Sequence, residues 1–408
     1  MFNLKFIHAA DIHLGSPFLG LRNATEDVKD LMHHSINQAF EKMITDAVAE
    51  NVDFVLIVGD LFDEPNPSFN VIETAIDGFE KLNRANIPVL LSFGNHDYLN
   101  EEIPSSIFPD NVQVFDDKVS VKTIRTVQNE NVKVAGFSYK ARSEPQSRID
   151  EYPVNGNDAD YYIGTLHGSM DGLNSPEARY APFTKDQLIS KHYDYWALGH
   201  IHKRVQLNDN PLIQYSGNTQ GRHINEQGVK GHYLVESNQK QLVSTFKPTS
   251  SAVWREIEIN CDPDDTFDSL KEKIQSKLSK NHQTFDLVKV RLNQSNLLDQ
   301  DVVNTLMGDV FLNRLQRELE HQESWIFKIS LNTDEAMQEL PKLDEDFWNT
   351  AKADIFNKSN ILSLMGRLQE YDFLVDNFDS EDTVNELKSQ SELQLIKNSA
   401  FKDEHHAN

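Results

Sequence analysis

Residue types that bind metal ions follow five apolar segments of this chain. Asp11 and His13 come after the first segment, and Asp60 with Asp63 come after the apolar run at 54–58. The other polar residues at such segment ends are Asn95, His96, Asp97, His167, His200 and His202. Carboxylates, imidazoles and an amide without a thiolate suit manganese, iron or zinc better than calcium or a structural zinc. The pattern therefore predicts a metal centre.

Seven of these side chains are predicted ligands, which is more than one ion requires. They are Asp11, His13, Asp60, Asn95, His167, His200 and His202. Such a set suits two divalent ions about 3.5 to 4 Å apart that share one carboxylate, and Asp60 is the natural bridge. Two divalent ions outweigh the charge of two carboxylates, so the centre would stay positive and attract a phosphate. Phosphoester hydrolysis is the reaction that fits.

Other polar residues are candidates for proton transfer and substrate contact. His96 directly follows a predicted ligand, which leaves its imidazole free to act as general acid to the leaving oxygen. Asp97 is expected to orient His96 or to stabilise its charge. Arg222 and His223 are candidates for contact with the substrate phosphate at the rim of the site, although a solvated loop explains them equally well.

Helical repeats separate the first apolar segments, which indicates alternating strands and helices. Asn23 and Glu26 resemble a capping box, and apolar residues at helical spacing follow to about residue 48. A second helix is predicted from Ser68 or Pro67 to about residue 86. Strands joined through helices pair in parallel, so their carboxyl ends meet at one edge of the sheet. Asp11, Asp60 and Asn95 lie at that edge.

Shorter strands follow residue 110 and predict a second, more mixed sheet. They are expected at 112–115, 119–124, 132–137, 161–166, 195–198, 212–215, 232–236 and 242–247. The pattern breaks near residue 250, which divides the chain into a first domain at 1–250 and a small α+β domain at 251–332. In that second domain we expect strands at 253–259, 287–292 and 325–331, with helices at 266–278 and 301–320. The remainder, 333–408, is predicted to be an acidic helical region.

Composition limits the class of protein. The net charge of -25 argues against a broad basic surface for nucleic acid, and residues 331–408 alone carry 17 acidic against 7 basic side chains. That region suits a solvated face or a docking surface for a basic partner. No apolar stretch approaches the roughly 18 residues of a membrane span, and the single Cys261 suggests a reducing setting. We therefore expect a cytoplasmic protein without a secretory signal or membrane contact.

The ordered motifs resemble those of the calcineurin-like metallophosphoesterases. These motifs are Asp11-x-His13, Gly59-Asp60-x-x-Asp63, Gly94-Asn95-His96-Asp97, a lone His167 and Gly199-His200-x-His202. The resemblance implies an α/β fold, a two-sheet sandwich flanked by helices, over about residues 4–247. It also implies that Asp11, His13, Asp60 and His202 hold one metal, that Asp60, Asn95, His167 and His200 hold the other, and that His96 is catalytic.

Within that superfamily the chain resembles the SbcD-type DNA repair exonucleases, and Gly217 to His223 look similar to the YhaO branch. The resemblance implies two manganese ions, with iron or zinc as alternatives, and a small capping domain after the nuclease domain. It implies C-terminal helices that dock on an SMC-like ATPase, SbcC or its counterpart, at DNA ends. Relatives commonly form homodimers. Asp63, where archaeal and eukaryotic relatives have histidine, is expected to orient rather than to catalyse.

Three functions remain open from the sequence. The first is a DNA repair exonuclease or endonuclease. The second is a phosphoesterase for a nucleotide, another small phosphodiester or a phosphoprotein; the phosphoprotein case is weakened because Glu64 and Pro65 follow Asp63, and Asp97 replaces the usual glutamate. The third is a non-catalytic subunit whose C-terminal region recruits a partner.

Overall fold

The computed structural model describes residues 4–18, 24–100, 104–170, 180–239, 241–278, 284–306, 308–318, 323–331 and 345–370, with isolated residues between 378 and 391. Its strands are β1 (Lys5–Ala9), β2 (Phe54–Val58), β3 (Val89–Ser92), β4 (Val112–Val114), β5 (Ser120–Arg125), β6 (Asn131–Gly136), β7 (Tyr161–His167), β8 (Tyr195–Gly199), β9 (Val205–Asp209), β10 (Leu212–Tyr215), β11 (Gly231–Asn238), β12 (Gln241–Pro248), β13 (Ala252–Asn260), β14 (Phe285–Asn293) and β15 (Ser324–Leu331). Its helices are α1 (Glu26–Glu50), α2 (Phe69–Arg84), α3 (Lys185–Ile189), α4 (Phe267–Lys277), α5 (Gln300–Leu306), α6 (Asp309–Glu318), α7 (Glu345–Ile355) and α8 (Lys358–Met365).

Two six-stranded mixed sheets pack face to face. The first has the order β12-β11-β1-β2-β3-β4, and the second has the order β5-β6-β7-β8-β10-β9. Strands β1 to β4 pair in parallel, as do β6, β7, β8 and β10. Apolar side chains from both sheets fill the space between them, while α1 and α2 cover the outer face of the first sheet. The predicted α/β sandwich is confirmed.

The uniformly buried strands explain why the site lies where it does. Every residue of β2, β3, β7 and β8 is buried, as expected for parallel strands covered on both faces. Polar side chains can therefore reach solvent only where these strands end. The carboxyl ends of β1, β2 and β3 in one sheet and of β7 and β8 in the other carry the predicted ligands.

Sheet membership differs from the expectation for three strands. The segments expected at 112–115, 232–236 and 242–247 were assigned to the second sheet, but β4, β11 and β12 belong to the first. The chain returns so that β11 pairs antiparallel with β1, with Val235 opposite Phe6. Apolar periodicity in the sequence reveals that a strand exists. It does not reveal which strand lies beside it, because β11 pairs with β1 from a distant part of the chain. Strand β9 and helix α3 were not expected at all.

A third sheet, β13-β14-β15, is entirely parallel. Helices α4, α5 and α6 cover one of its faces. The other face is covered at one end by the start of α1, where Trp254, Leu287 and Trp325 pack with Val28 and Met32. The predicted helix at 301–320 is two helices, α5 and α6. We call β13-β14-β15 the cap sheet.

The two predicted helix starts have different outcomes. Thr25, rather than Asn23, is the N-cap of α1, and its side chain accepts a hydrogen bond from the backbone N–H of Val28. Asn23 lies outside the described residues. Ser68 is the N-cap of α2, as predicted.

The C-terminal region is described only in part. Helices α7 and α8 are followed by a 3-10 turn at Gly366–Glu370, and most of the predicted acidic helical region after residue 370 lies outside the described residues. Some apolar side chains of this region are exposed, with Leu364 at 79% and Leu368 at 51%, whereas Ile361 on α8 is buried. In the part of the chain that the structure describes, no helix is both long and apolar enough to cross a membrane.

Candidate metal centre

The backbone at the strand ends holds four predicted ligands in a conformation that residues with a side chain rarely adopt. The φ angle is 52° at Asp11, His13 and Asp60, and 96° at His200. Such backbone costs of order 1 to 3 kcal/mol per residue and persists only where surrounding structure enforces it. Here the N–H of His13 donates to the Asp60 carbonyl at 2.9 Å, and the N–H of Asp11 donates to the Gly59 carbonyl at 3.2 Å. The two strand ends therefore fix each other.

Asp11, His13 and His202 form one cluster, with one ligand atom from each lying within 4.8 Å of the others. The Nε2 atoms of His13 and His202 are only 3.1 Å apart. Their Nδ1 atoms face carboxylates instead, at 3.1 Å from Asp63 and 2.7 Å from Glu226. A carboxylate can only accept, so Glu226 favours a proton on Nδ1 of His202, and a guanidinium nitrogen of Arg222 lies 3.2 Å from the same atom. Nδ1 of His13 is close to Asp63 but is not aligned with it as a hydrogen bond. The two Nε2 atoms converge. That donor set fits a cation.

A second cluster lies on the other side of Asp60. Nε2 of His167 is 3.3 Å from Asp60 Oδ2 and 2.9 Å from Asn95 Oδ1. The His167 Nδ1–H donates to the Val58 carbonyl, so Nε2 is the atom left for coordination. Nδ1 of His200 lies 3.2 Å from the same Asn95 oxygen. The structure thus brings together all four members of the second predicted ligand set.

Asp60 lies between the two clusters. Its Oδ2 atom is 3.3 Å from Nε2 of His167 and 3.8 Å from Nε2 of His13. One imidazole from each predicted set therefore faces the same carboxylate oxygen. This geometry is what a bridging carboxylate requires.

Electrostatics give the candidate ligands different protonation states. Burial and the charge of Arg222 together lower the pKa of His13 to about 3. Burial and neighbouring imidazoles likewise lower the pKa of His200. Burial opposes ionisation of Asp60, but His167 and other imidazoles outweigh it and hold the pKa of Asp60 well below its usual range. Burial opposes protonation of His167, but Asp60 and Asp11 outweigh it and raise the pKa of His167 to about 9. A cation bound at Nε2 of His167 would therefore displace a proton.

His96 is positioned beside the clusters rather than within a predicted ligand set. Its Nδ1 lies 3.0 Å from the Asp63 carbonyl oxygen, and its backbone N–H donates to Asp60 Oδ1 at 3.0 Å. A carbonyl oxygen can only accept, so Nδ1 carries a proton, and Nε2 is the second nitrogen of the ring that can bind one. The ring also contacts that of His13 edge to face.

Asp97 has partners other than the expected one. Its carboxylate accepts hydrogen bonds from four backbone N–H groups, those of Asp60, Leu61, Phe62 and Gly94. These bonds tie the end of β2 to the end of β3. Asp97 therefore shapes the backbone around Asp60, while its expected role in orienting His96 or stabilising the charge of His96 stays a prediction.

Arg222 and His223 do not form a solvated rim. The Arg222 side chain is 3% exposed and donates to Asp63 Oδ1 at 2.9 Å and to Glu226 Oε1 at 3.2 Å. His223 is also buried, with Nε2 at 3.3 Å from Glu226. In the sequence, a basic residue in a loop suggests contact with phosphate. In the structure, the guanidinium of this residue pairs with two buried carboxylates. Asp63 lies between His13 and Arg222, which agrees with an orienting role.

Glu226 was not singled out from the sequence. It is buried, and its two carboxylate oxygens accept from Nδ1 of His202, from Nδ2 of Asn218 and from the backbone N–H of Arg222. Burial opposes its ionisation, but Arg222 and nearby imidazoles hold the pKa of Glu226 well below its usual range. Glu226 follows His202 by 24 residues in a loop, so no periodicity marks it.

Two glycines allow the clusters to pack closely. A Cβ on Gly94 would lie 2.3 Å from Asp60 Oδ1, and a Cβ on Gly59 would lie 2.1 Å from Nδ1 of His167. Gly59 also has a φ of +78°. Neither position has room for another residue while the candidate ligands stay in place.

Comparison with known proteins matches residues 4–204 to the family model described as calcineurin-like phosphoesterase. The chain is 34% identical over 400 residues, 96% of its length and 97% of the relative's, to a protein of Bacillus subtilis named uncharacterized metallophosphoesterase YhaO.

Two further relatives carry nuclease or repair names. A DNA double-strand break repair protein Mre11 of Methanocaldococcus jannaschii is 28% identical over 288 residues, covering 67% of this chain and 73% of that one. A subunit of the nuclease SbcCD of Staphylococcus epidermidis is 27% identical over 320 residues, covering 70% of this chain and 79% of that one. Both alignments are longer than the region that the family model matches.

Proposed function

This chain belongs to the calcineurin-like metallophosphoesterases, and we propose that it is a two-metal phosphodiesterase that hydrolyses DNA. The observation that carries the proposal is the set of two ligand clusters around Asp60, with His96 beside them. The choice of DNA is supported by similarity to a DNA break repair protein and to a nuclease subunit, over alignments that extend beyond the phosphoesterase region.

The candidate ligands would divide between two divalent ions, with manganese as our first choice. Asp11, His13, Asp60 and His202 would hold one ion, and Asp60, Asn95, His167 and His200 would hold the other. When bound, such a pair lowers the pKa of a shared water and neutralises charge on the phosphoryl oxygens.

The chain's own contribution to the reaction is orientation and proton transfer. Asp97 fixes the backbone that presents Asp60, and the carbonyl of Asp63 holds the His96 ring through Nδ1–H. A proton carried on Nε2 of His96 can then pass to the oxygen of the departing strand as the phosphorus–oxygen bond breaks. His96 ends neutral and regains its proton from water.

A partner protein would supply much of the grip on DNA, because the chain carries a net charge of -25. We propose an SMC-like ATPase of the SbcC type, docked on the C-terminal region, and a homodimer of this chain as the assembled form. The exposed Ile355, Leu364 and Leu368 on the described C-terminal helices support such docking. The isolated chain should accordingly bind DNA weakly.

The acidity also favours a second candidate, hydrolysis of a nucleotide or another small phosphodiester. Such a substrate needs only the positive metal centre and no basic surface. A non-catalytic, partner-recruiting subunit is the remaining alternative.

Mn²⁺-dependent cleavage of an end-labelled linear duplex tests the proposal, with His96→Asn as the matched control and bis(p-nitrophenyl) phosphate as a generic substrate. Cleavage by the wild type that is lost in the variant supports a nuclease, and the label reports exo or endo action and polarity. Hydrolysis of the generic diester alone, even with the partner ATPase added, would favour the small-substrate alternative. Inactivity on both substrates would favour the non-catalytic subunit.

A further inference from the structure

Five side chains form a closed ring at the first ligand cluster. From Nε2 of His13 the contacts run to Nε2 of His202 at 3.1 Å, and from Nδ1 of His202 to Glu226 at 2.7 Å. They continue from Glu226 to Arg222 at 3.2 Å, from Arg222 to Asp63 at 2.9 Å, and from Asp63 to His13 at 3.1 Å. Each imidazole thus has a carboxylate next to its Nδ1 atom, and one guanidinium contacts both carboxylates.

The ring determines which nitrogen of each imidazole is free. An imidazole can coordinate through Nδ1 or Nε2, and a carboxylate behind Nδ1 keeps the proton there and directs Nε2 toward the ion. Without that carboxylate the ring could rotate or change tautomer. Arg222 fixes the separation of the two carboxylates, because its planar fork donates to both at once.

The segment that carries Arg222 and Glu226 is also attached to the cap sheet. Trp254 Nε1 donates to the Gly221 carbonyl at 3.0 Å. The Gln220 side chain donates to the Ala252 carbonyl at 2.7 Å and accepts from the N–H of Ser251 at 3.1 Å. The start of β13 therefore fixes the position of this loop.

We propose that Arg222 and Glu226, which we call the clasp, are positioning residues that select the Nε2 face of His13 and His202 for one of the two ions and couple that half of the centre to the cap sheet. The proposal rests on the metal-binding part of the proposed function and not on the choice of DNA as substrate. The other half, at Asn95, His167 and His200, lies outside the ring.

Glu226→Gln is the sharpest test, because it keeps the shape of the side chain and removes its charge. Glu256→Gln is the matched control, since Glu256 pairs with Arg291 at 2.7 Å and Lys289 at 3.1 Å but touches no candidate ligand. Arg222→Lys is a second, milder variant that keeps the charge and loses the fork. Titration calorimetry with Mn²⁺ alone would count the ions bound to the full chain and give the affinity of each.

We expect Glu226→Gln to lower the Mn²⁺ affinity of one site about 10- to 100-fold, the range found when a partner of a ligating histidine is lost. The affinity of the other site should stay within about twofold of wild type. Arg222→Lys should change the same ion less, and Glu256→Gln should change neither. In metal-free samples, proton–nitrogen NMR of the imidazoles should show His202 protonated on Nδ1 in the wild type and a mixture of tautomers in Glu226→Gln.

Unchanged Mn²⁺ affinity in both clasp variants would overturn the proposal. The proposal would also be overturned if the Mn²⁺ affinities of both sites fell equally and the melting temperature of the metal-free chain fell as well. That pattern would indicate a purely structural role. If Glu226→Gln does not fold, the same criteria apply to Arg222→Lys. A wild type that binds no Mn²⁺ would reject the clasp and the metal centre together, whereas two bound ions without DNA cleavage would reject only the nuclease.

Discussion

At the scale of single residues, the candidate centre depends on unusual backbone and on the absence of side chains. Four candidate ligands have positive φ, and Gly59 and Gly94 leave the space that Asp60 and His167 occupy. Replacing a glycine can lower stability through backbone strain or through a steric clash. Substitutions at two glycines of this chain distinguish the two effects.

Gly59→Ala should cost more stability than Gly228→Ala, although the φ angles are +78° and +81°. Both variants carry the penalty of left-handed backbone, about 1 to 2 kcal/mol. Only at Gly59 does the new Cβ collide with His167, adding about 1 to 3 kcal/mol and displacing a candidate ligand, since nothing lies within 4 Å of a Cβ on Gly228. Urea unfolding of both variants, with Mn²⁺ binding measured alongside, checks this; equal losses would contradict the packing argument.

His96→Asn should impair cleavage of DNA far more than hydrolysis of bis(p-nitrophenyl) phosphate. The alkoxide leaving group of DNA needs a proton, and loss of a general acid lowers such rates about 10²- to 10⁴-fold. Nitrophenolate leaves without protonation, so that rate should change little. Steady-state rates on both substrates decide this, with bound Mn²⁺ counted as control; equal losses would indicate that His96 acts on the metal centre instead.

The sequence predicts the candidate ligands better than it predicts the residues that hold them in position. His200 and His202 are recognisable because a buried strand ends just before them. The roles of Asp97 and Arg222 depend on groups that meet them only in the folded chain, namely four backbone N–H groups and two carboxylates. No local pattern in the sequence encodes these contacts, which is why they were not predicted.

At the scale of elements, the sequence predicts individual strands better than it predicts how those strands pair in sheets. The strand at 212–215 was predicted with the bounds observed for β10, yet β11 and β12 were placed in the wrong sheet. Hydrophobic periodicity is local, whereas pairing of β11 with β1 joins residues more than 220 positions apart. The expected single helix at 301–320 is divided near Gly308, where helix propensity is low.

The contact between the cap sheet and α1 should contribute substantially to stability. Leu287 is fully buried in that contact, so Leu287→Ala should lower the free energy of unfolding by about 2 to 5 kcal/mol. Val310→Ala, at a position 68% exposed on α6, should stay within about 0.5 kcal/mol of wild type. Urea unfolding of metal-free protein measures both, and a small loss at Leu287 would show that the cap sheet is stable without α1.

At the scale of the whole molecule, buried histidines outside the centre should make the fold sensitive to acid. Burial lowers the pKa of His8 and of His232 from 6.5 to about 3. His8 lies between the two sheets, where its ring contacts Tyr195, and Nε2 of His232 lies 3.9 Å from Asp46 on α1. The unfolded chain takes up protons on these imidazoles below pH 6.5, whereas the folded chain does not.

Stability contributed by these two residues is therefore present above pH 6.5 and is lost as the pH falls toward 3. Each imidazole should reduce the free energy of unfolding by about 1.4 kcal/mol per pH unit in that window. Urea unfolding in EDTA at pH 6.5, 5.5 and 4.5 should show a shallower slope for His232→Leu than for wild type. His34→Gln, which removes an exposed imidazole on α1, is the control; the same slope in all three proteins would refute the assignment.

The closed ring of side chains has a consequence for the newly made protein. The ring joins His13 to Glu226, and β1 finds its antiparallel neighbour only when β11 has been synthesised. A chain synthesised only as far as His202 holds all seven candidate ligands but still lacks Arg222, Glu226 and β11. Hydrolytic capacity would thus arise late, after both sheets have closed on each other.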